Sequence, residues 1–276
     1  YNFKKTYKNS NELMEDANCK LIYIASNHST HSSYAIEALE QKKDVYIEKP
    51  ISTTMEQFKL LYLALSATDN SIYVGYNRPF SKAILELCKR IKNINAPISL
   101  SCFITGHFIE KDHWYRNPIE GTRICGNMGH WIDLGVHLLN AVGSIPNIYN
   151  IVITYSNREE PDDNINVSIT TEGNDMISIF LSSRTEPFEG INETINFQCA
   201  DIIAKIDDFR QMTIWQNEYK FKKRYWPKDV GHKNAILQPF AKNKRDFGEI
   251  KVSTLLMLII KDMVVEGLGQ KQINIK

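Results

Sequence analysis

The residues best suited to chemistry fall into two groups, and the first group follows short apolar runs. Glu48 and Lys49 follow "VYI", Ser26 and Asn27 follow "IYIA", and Asn77 follows "VGY". A lysine ammonium at such a position can stabilise negative charge that develops on a substrate oxygen. The alternative for Lys49 is a surface lysine that leads into a helix, and the motif alone does not decide between the two.

The second group lies in the segment "GHWIDLGVH", where His130, Asp133 and His137 recur at helical spacing. At i, i+3 and i+7 the three side chains project from one helix face. Asp133 lies one turn from His137, so its carboxylate can orient the imidazole for general acid–base work. A metal-binding triad is a weaker alternative. A histidine satisfied inside the core is the other alternative, and it fits His130 better than His137.

A loop with the sequence "HWYRNP" precedes this helix and carries Trp114, Tyr115 and Arg116. An aromatic platform beside a charged hydrogen-bond donor suits a polyhydroxylated ligand such as a sugar. The alternative is a set of aromatic side chains that are simply buried in the loop.

The first third of the chain predicts the framework for the first group. The runs "KLIYIAS", "DVYIEKP" and "SIYVGYN" read as buried strands, separated by the helical segments "THSSYAIEALEQKK" and "TTMEQFKLLYLALSAT". Apolar strands that alternate with helices predict βαβ units and a parallel sheet. Ligands bind outside the carboxyl ends of such strands. The polar residues after each run therefore lie where a ligand is expected.

From about Pro79 onward the pattern predicts an α+β region. "NINVSITT" and "TINFQCA" alternate strictly between apolar and polar residues, which indicates an antiparallel sheet with one buried face. We therefore predict an α/β fold, part of a doubly wound domain over 1–78, followed by an α+β domain over 79–276 with a large, mostly antiparallel sheet. A terminal helix over 253–267 is expected to pack back on the first domain.

Composition excludes several classes of partner. The 276 residues carry a net charge of +1, which gives no general field for nucleic acid or an anionic membrane. No apolar run is long enough to span a bilayer. The five cysteines are scattered singly, which predicts free thiols in a reducing compartment such as the cytoplasm, with no disulfide framework or metal site.

Together these motifs resemble the glucose–fructose oxidoreductase and inositol dehydrogenase (Gfo/Idh/MocA) family. The resemblance rests on "IYIASNHSTHSSYAIEALEQKKDVYIEKP" and "VGYNRPF" in the first domain, and on "HWYRNP" and "GNMGHWIDLGVH" in the second. It covers nearly the whole chain. It implies an N-terminal Rossmann domain, a C-terminal domain with a large sheet, and a homodimer or homotetramer formed through that sheet.

The resemblance also implies hydride transfer between NAD or NADP and a hydroxyl or carbonyl of a sugar, cyclitol or nucleotide-sugar. The catalytic residues carried over are Lys49, His137 and Asp133. Lys49 and His137 would contact substrate together with Trp114 and Arg116. The expected cofactor cleft is lined by Ser26, Asn27, His31, Glu48, Lys49 and Asn77.

The sequence departs from the family pattern in two places. Ser26-Asn27 stands where a proline is usual, and a G-x-G-x-x-G segment does not occur. We therefore expect roughly 40–80 further residues with a glycine-rich strand–turn–helix before Tyr1 in the natural protein. Two alternatives remain open: a non-catalytic homologue with a binding or assembly role, and a family member that uses bound NAD in glycoside cleavage.

Overall fold

The first part of the fold is a three-stranded parallel sheet with the strand order β1-β2-β3. The structure, a computed structural model, describes residues 4–143, 145–184, 186–242 and 244–276; Tyr1 lies outside them. The elements are α1 (Ser10–Glu15), β1 (Leu21–Ile24), α2 (His31–Glu40), β2 (Asp44–Ile47), α3 (Met55–Ser66) and β3 (Ile72–Val74). This is the predicted Rossmann-type βαβ arrangement.

Local sequence explains why these elements form where they do. Val45, Tyr46 and Ile47 of β2 are all buried, as a strand covered on both faces requires. The Thr54 side chain accepts a hydrogen bond from the backbone NH of Gln57, which caps α3. Helix α3 therefore begins within the predicted helical segment "TTMEQFKLLYLALSAT".

The second part is a nine-stranded sheet with the order β11-β10-β9-β8-β4-β7-β6-β5-β12. Its strands are β4 (Ile98–Thr105), β5 (Ile148–Tyr155), β6 (Asn164–Thr171), β7 (Met176–Ser182), β8 (Asn192–Cys199), β9 (Ile202–Asp207), β10 (Gln211–Gln216), β11 (Tyr219–Arg224) and β12 (Gln270–Asn274). β4 and β7 pair in parallel, and the other described pairs are antiparallel. The predicted mostly antiparallel sheet is confirmed. Ile165, Val167 and Ile169 face the core, as their alternation predicts.

Four helices complete the second part: α4 (Lys82–Ile91), α5 (Gly129–Val142), α6 (His232–Ile236) and α7 (Phe247–Glu266). A π-helical turn over Ile124–Met128 runs directly into α5. Helix α5 packs against α4, α7 and the strands β4 and β7, so it lies at the centre of the molecule. Among the described residues, no helix is both long and apolar enough to cross a membrane.

Helix α7 begins at Phe247, six residues earlier than the predicted start at Ser253. The Asp246 side chain accepts a hydrogen bond from the Gly248 NH and caps the longer helix. Lys261 in α7 donates a hydrogen bond to the Thr53 carbonyl oxygen at 3.2 Å. This contact joins α7 to the first part of the chain.

Candidate active site

A cavity of about 830 Å³ opens at the carboxyl-terminal edge of the parallel sheet. Lys49 and Arg78, which follow β2 and β3, form one wall. Tyr115, Asn127 and His130 from the second part form the opposite wall. This volume lies within the usual range for small-molecule sites. The cavity therefore occupies the position at which parallel sheets bind ligands.

Lys49 is half-buried at the base of this cavity. Its Nζ atom donates a hydrogen bond to the Gly126 carbonyl oxygen at 2.6 Å and lies 3.4 Å from the Tyr115 hydroxyl. Burial, assisted by the positive charge of Arg78, lowers the pKa of Lys49 to about 8. The ammonium form therefore predominates near neutral pH, but it can lose its proton within the physiological range.

His130 and Asn127 present unsatisfied polar atoms at this site. Nδ1 of His130 and Oδ1 of Asn127 are buried and have no hydrogen-bond partner within the described ranges. Burial, with the positive charges of Arg78 and Lys49, holds the pKa of His130 well below its usual value, so the imidazole is neutral. Unpartnered buried polar atoms are costly in a folded protein, and a bound ligand is a normal explanation for them.

A buried ion pair makes one wall of the cavity rigid. The Arg78 guanidinium binds both Glu193 carboxylate oxygens, at 2.8 and 3.2 Å, and the Trp131 indole NH donates to the same carboxylate at 2.7 Å. Arg78 also lies 5.0 Å from the centre of the Trp131 ring, in cation–π geometry. The Glu193 carboxylate compensates the positive charge of Arg78. Lys49 is therefore the less compensated of the two cations at this wall.

The structure does not bring His137 and Asp133 to Lys49. Asp133 is buried and pairs with both terminal nitrogens of Arg245 at 2.9 Å. Nδ1 of His137 lies 2.9 Å from Glu249, so Glu249, and not Asp133, holds this imidazole. The prediction that His137 contacts the substrate is therefore corrected. His130, which lies nearer the amino end of α5, lines the cavity instead. The expected ranking of the two histidines is reversed, and the three side chains do not converge on a metal site.

The predicted cofactor residues divide into exposed and structural ones. Ser26 and Asn27 are exposed just after β1, and Glu48 is half-buried after β2. His31 is buried, and its two ring nitrogens contact the Pro50 and Ser26 carbonyl oxygens. His31 therefore joins two turns and does not line the cleft as predicted.

Asn77 is also a structural residue in this structure. Its amide nitrogen donates to the Val230 carbonyl oxygen at 2.7 Å, and its oxygen accepts from Arg78 at 2.9 Å. Asn77 is fully buried. Its hydrogen bonds connect the turn after β3 to the second part of the chain, in contrast to its predicted place in the cofactor cleft.

The aromatic loop contributes a different residue from those predicted. Arg116 is held by Asp163 at 2.9 Å and by the Ile109 carbonyl oxygen, and it is not among the residues that line the cavity. Trp114 is 46% exposed and does not line the cavity. Tyr115, between them, does. The predictions for Trp114 and Arg116 are therefore corrected in favour of Tyr115.

Glu193, a site residue that the sequence analysis does not single out, left a detectable signal. Glu193 falls in phase with Ile195, Phe197 and Cys199 in the alternation of β8, so an acid is predicted on the buried face. Such an acid requires a partner. His130 is the second residue of α5 and comes directly after the π-helical turn, which helical spacing alone does not predict.

Comparison with known proteins relates the first part of the chain to a family of oxidoreductases. Residues 1–76 match the Gfo/Idh/MocA family model, described as an oxidoreductase family with an NAD-binding Rossmann fold. Myo-inositol 2-dehydrogenase of Thermotoga maritima is 30% identical over 90 residues, 33% of this chain and 27% of the relative. Inositol 2-dehydrogenase of Klebsiella pneumoniae is 27% identical over 139 residues, 49% of this chain and 40% of the relative. The matched segments thus cover less than half of each of these relatives.

Solved structures resemble the chain over nearly its full length. An oxidoreductase from Thermotoga maritima superposes with a TM-score of 0.78 at 14% identity, covering 98% of this chain and 84% of that one. Levoglucosan dehydrogenase, solved with NADH and levoglucosan, superposes with a TM-score of 0.75 at 16% identity, covering 99% and 84%. At these identities the similarity establishes the fold.

Proposed function

We propose that the chain, whose residues 1–76 match the Gfo/Idh/MocA oxidoreductase family model, transfers hydride between NAD or NADP and a hydroxyl or carbonyl group of a small sugar-like molecule. The substrate class is a sugar, a cyclitol or a nucleotide-sugar. One observation carries the proposal. Lys49 lines the same cavity, at the carboxyl edge of the parallel sheet, as Asn127 and His130, each of which has a buried polar atom with no hydrogen-bond partner among the described residues.

We assign different roles to the two ionisable side chains. The Lys49 ammonium stabilises negative charge on the reacting oxygen, because it is a half-buried cation with a hydrogen-bonded position. The neutral imidazole of His130 accepts the hydroxyl proton in the oxidation direction and returns it in the reduction direction. Asp133 and His137 connect α5 to α7 and take no direct part.

The residues at the rim fit the nicotinamide end of a dinucleotide. Ser26, Asn27 and Glu48 follow adjacent parallel strands, and Asn127, whose amide oxygen is buried without a hydrogen-bond partner among the described residues, lines the cavity beside them. A bound nicotinamide ring supplies the acceptor or donor of hydride. The proposal covers both NAD and NADP.

The names of the relatives support the substrate class. An inositol is a cyclitol, and levoglucosan is an anhydrosugar; both present several neighbouring hydroxyl groups. The cavity offers such a ligand hydrogen-bond donors and acceptors along with the Tyr115 ring. Aromatic faces and clustered polar groups are a common combination in sugar sites.

The proposal extends to organisation and location. We propose the division into a cofactor domain over 1–78 and a substrate domain over 79–276. A homodimer or homotetramer through the outer face of the large sheet is supported by Phe103 and Phe180, which stack there at 5.0 Å although both rings are exposed. The free cysteines support a cytoplasmic location.

A substrate screen tests the proposal. The purified protein is incubated with NAD⁺ or NADP⁺ and a panel of cyclitols, aldoses and nucleotide-sugars, and cofactor reduction is followed by absorbance. Lys49→Met is expected to lose at least about a hundredfold in kcat/KM. Lys59→Met, which removes an exposed lysine on α3, serves as the matched control. If Lys49→Met and Lys59→Met turn over the substrate at the wild-type rate, the assignment fails.

A further inference from the structure

A second arrangement of reactive side chains lies outside the cavity, where α4, α5 and α7 meet. The Cys88 sulfur on α4 lies 3.6 Å from Nε2 of His137 on α5. Nδ1 of the same imidazole lies 2.9 Å from a Glu249 carboxylate oxygen on α7. A nucleophile, a base within hydrogen-bond reach and an acid that orients the base form the geometry by which proteins activate a nucleophile.

The acid in this arrangement is firmly held. The Glu249 side chain is 3% exposed, accepts a hydrogen bond from the Asn140 amide at 2.9 Å and forms an ion pair with Arg245. Arg245 in turn binds Asp133. With three partners, the carboxylate fixes the orientation of the His137 ring and keeps its Nε2 atom aimed at the sulfur.

The contacts of His137 determine its charge. Burial alone would lower the pKa of His137, but its contacts with Cys88 and Glu249 outweigh burial and raise the pKa to about 9. The imidazole is therefore protonated at neutral pH. An adjacent imidazolium stabilises a thiolate, which is the nucleophilic form of cysteine.

Exposure distinguishes Cys88 from most of the other cysteines. Cys102, Cys125 and Cys199 are buried, whereas Cys88 and Cys19 are partly exposed. Cys19 lies 3.6 Å from the Tyr7 hydroxyl and has no imidazole beside it within the described ranges. Cys88 thus combines solvent access with an oriented imidazole.

We propose that Cys88, His137 and Glu249 form a thiol-activation site at which Cys88 reacts with small electrophiles, hydroperoxides in particular. In the step with hydrogen peroxide, the Cys88 sulfur attacks one peroxide oxygen. The S–O bond forms, the O–O bond breaks, and the departing hydroxide takes the proton of the His137 imidazolium and leaves as water. Sulfur is oxidised to a sulfenic acid and the peroxide is reduced.

Competitive labelling tests the proposal within a single native protein. Substoichiometric iodoacetamide is applied, and the labelled cysteine peptides are quantified by mass spectrometry. We expect Cys88 to be alkylated at least about tenfold faster than Cys19, because an oriented imidazole lies beside the Cys88 sulfur. Equal labelling, or faster labelling of Cys19, would overturn the proposal. This comparison needs no variant and no substrate, so its result is independent of the proposed hydride transfer.

A variant and a second probe complete the test. His137→Gln should slow the alkylation of Cys88 by about tenfold and leave Cys19 unchanged. Treatment with hydrogen peroxide followed by dimedone, which traps sulfenic acids, should label Cys88 in the wild-type protein. If His137→Gln leaves the Cys88 rate unchanged, or if dimedone labels Cys19 in preference to Cys88, the activation site does not exist.

Discussion

Gly126 is the residue whose replacement perturbs the candidate active site most sharply. It lies at the π-helical turn, with its carbonyl oxygen bound to Lys49 and the Tyr115 ring pressed against its α-carbon. A Cβ atom placed on Gly126 would lie 2.2 Å from the Tyr115 ring and hydroxyl. In Gly126→Ala the Tyr115 ring must therefore move by about 1.5 Å to restore an ordinary carbon contact.

The expected loss follows from that displacement. Tyr115 and the Gly126 carbonyl are the two hydrogen-bond contacts of the Lys49 ammonium. A misplacement of about 1 Å in a catalytic site costs up to about a hundredfold in rate. Overpacking costs roughly 1–3 kcal/mol of stability, and the lower end applies because Tyr115 lies on a loop. We expect kcat/KM to fall ten- to a hundredfold (about 1.4–2.7 kcal/mol), with a stability loss near 1 kcal/mol.

The assay combines steady-state kinetics on the substrate found by the screen with urea unfolding. Gly135→Ala, on the α5 helix that follows this turn, is the matched control, since its Cβ would lie 3.1 Å from the tip of the Ile177 side chain, which needs to move by only a few tenths of an ångström. In a Tyr115→Ala background the clash is removed, so adding Gly126→Ala should cost little more. Wild-type kcat/KM in Gly126→Ala would refute the proposed arrangement of Lys49 and Tyr115.

Two further predictions concern charge at the same site. Glu193→Gln leaves the buried Arg78 guanidinium without its counter-charge, so urea unfolding should report a loss of about 3–5 kcal/mol; a loss below about 1 kcal/mol would contradict a buried ion pair. For Lys49 the protonated form is active, so kcat/KM for carbonyl reduction should be highest below its pKa of about 8 and decline above it. In Lys49→Arg the decline in kcat/KM should move to higher pH. If the decline stays at the same pH in this variant, the titrating group is not Lys49.

The elements of the fold could be predicted because their signals are local. The apolar run around Val45 and the alternation at Ile165 and Ile195 each depend on a few neighbouring residues. The Thr54 cap depends on a backbone NH only three residues further along the chain. The large sheet's strand order was not predictable, since β4 pairs with β7 and β8 across long sequence separations.

The site was predicted only in part, because its contacts are not local. Lys49 was found from its place after a strand. The choice between His130 and His137 depends on which end of α5 meets the cleft, and helical spacing does not contain that information. Arg116 was assigned to substrate, yet its partner Asp163 lies 47 residues away in the sequence. Such pairings become visible only in the folded chain.

The most direct test of the central claim compares two histidines on one helix. His130→Gln and His137→Gln are prepared in the wild-type protein, and kcat/KM for cofactor-linked oxidation of the identified substrate is measured for each. The account predicts a loss of at least about a hundredfold in His130→Gln and near-normal turnover in His137→Gln. The opposite order, with His137→Gln inactive in a folded protein and His130→Gln active, would contradict it.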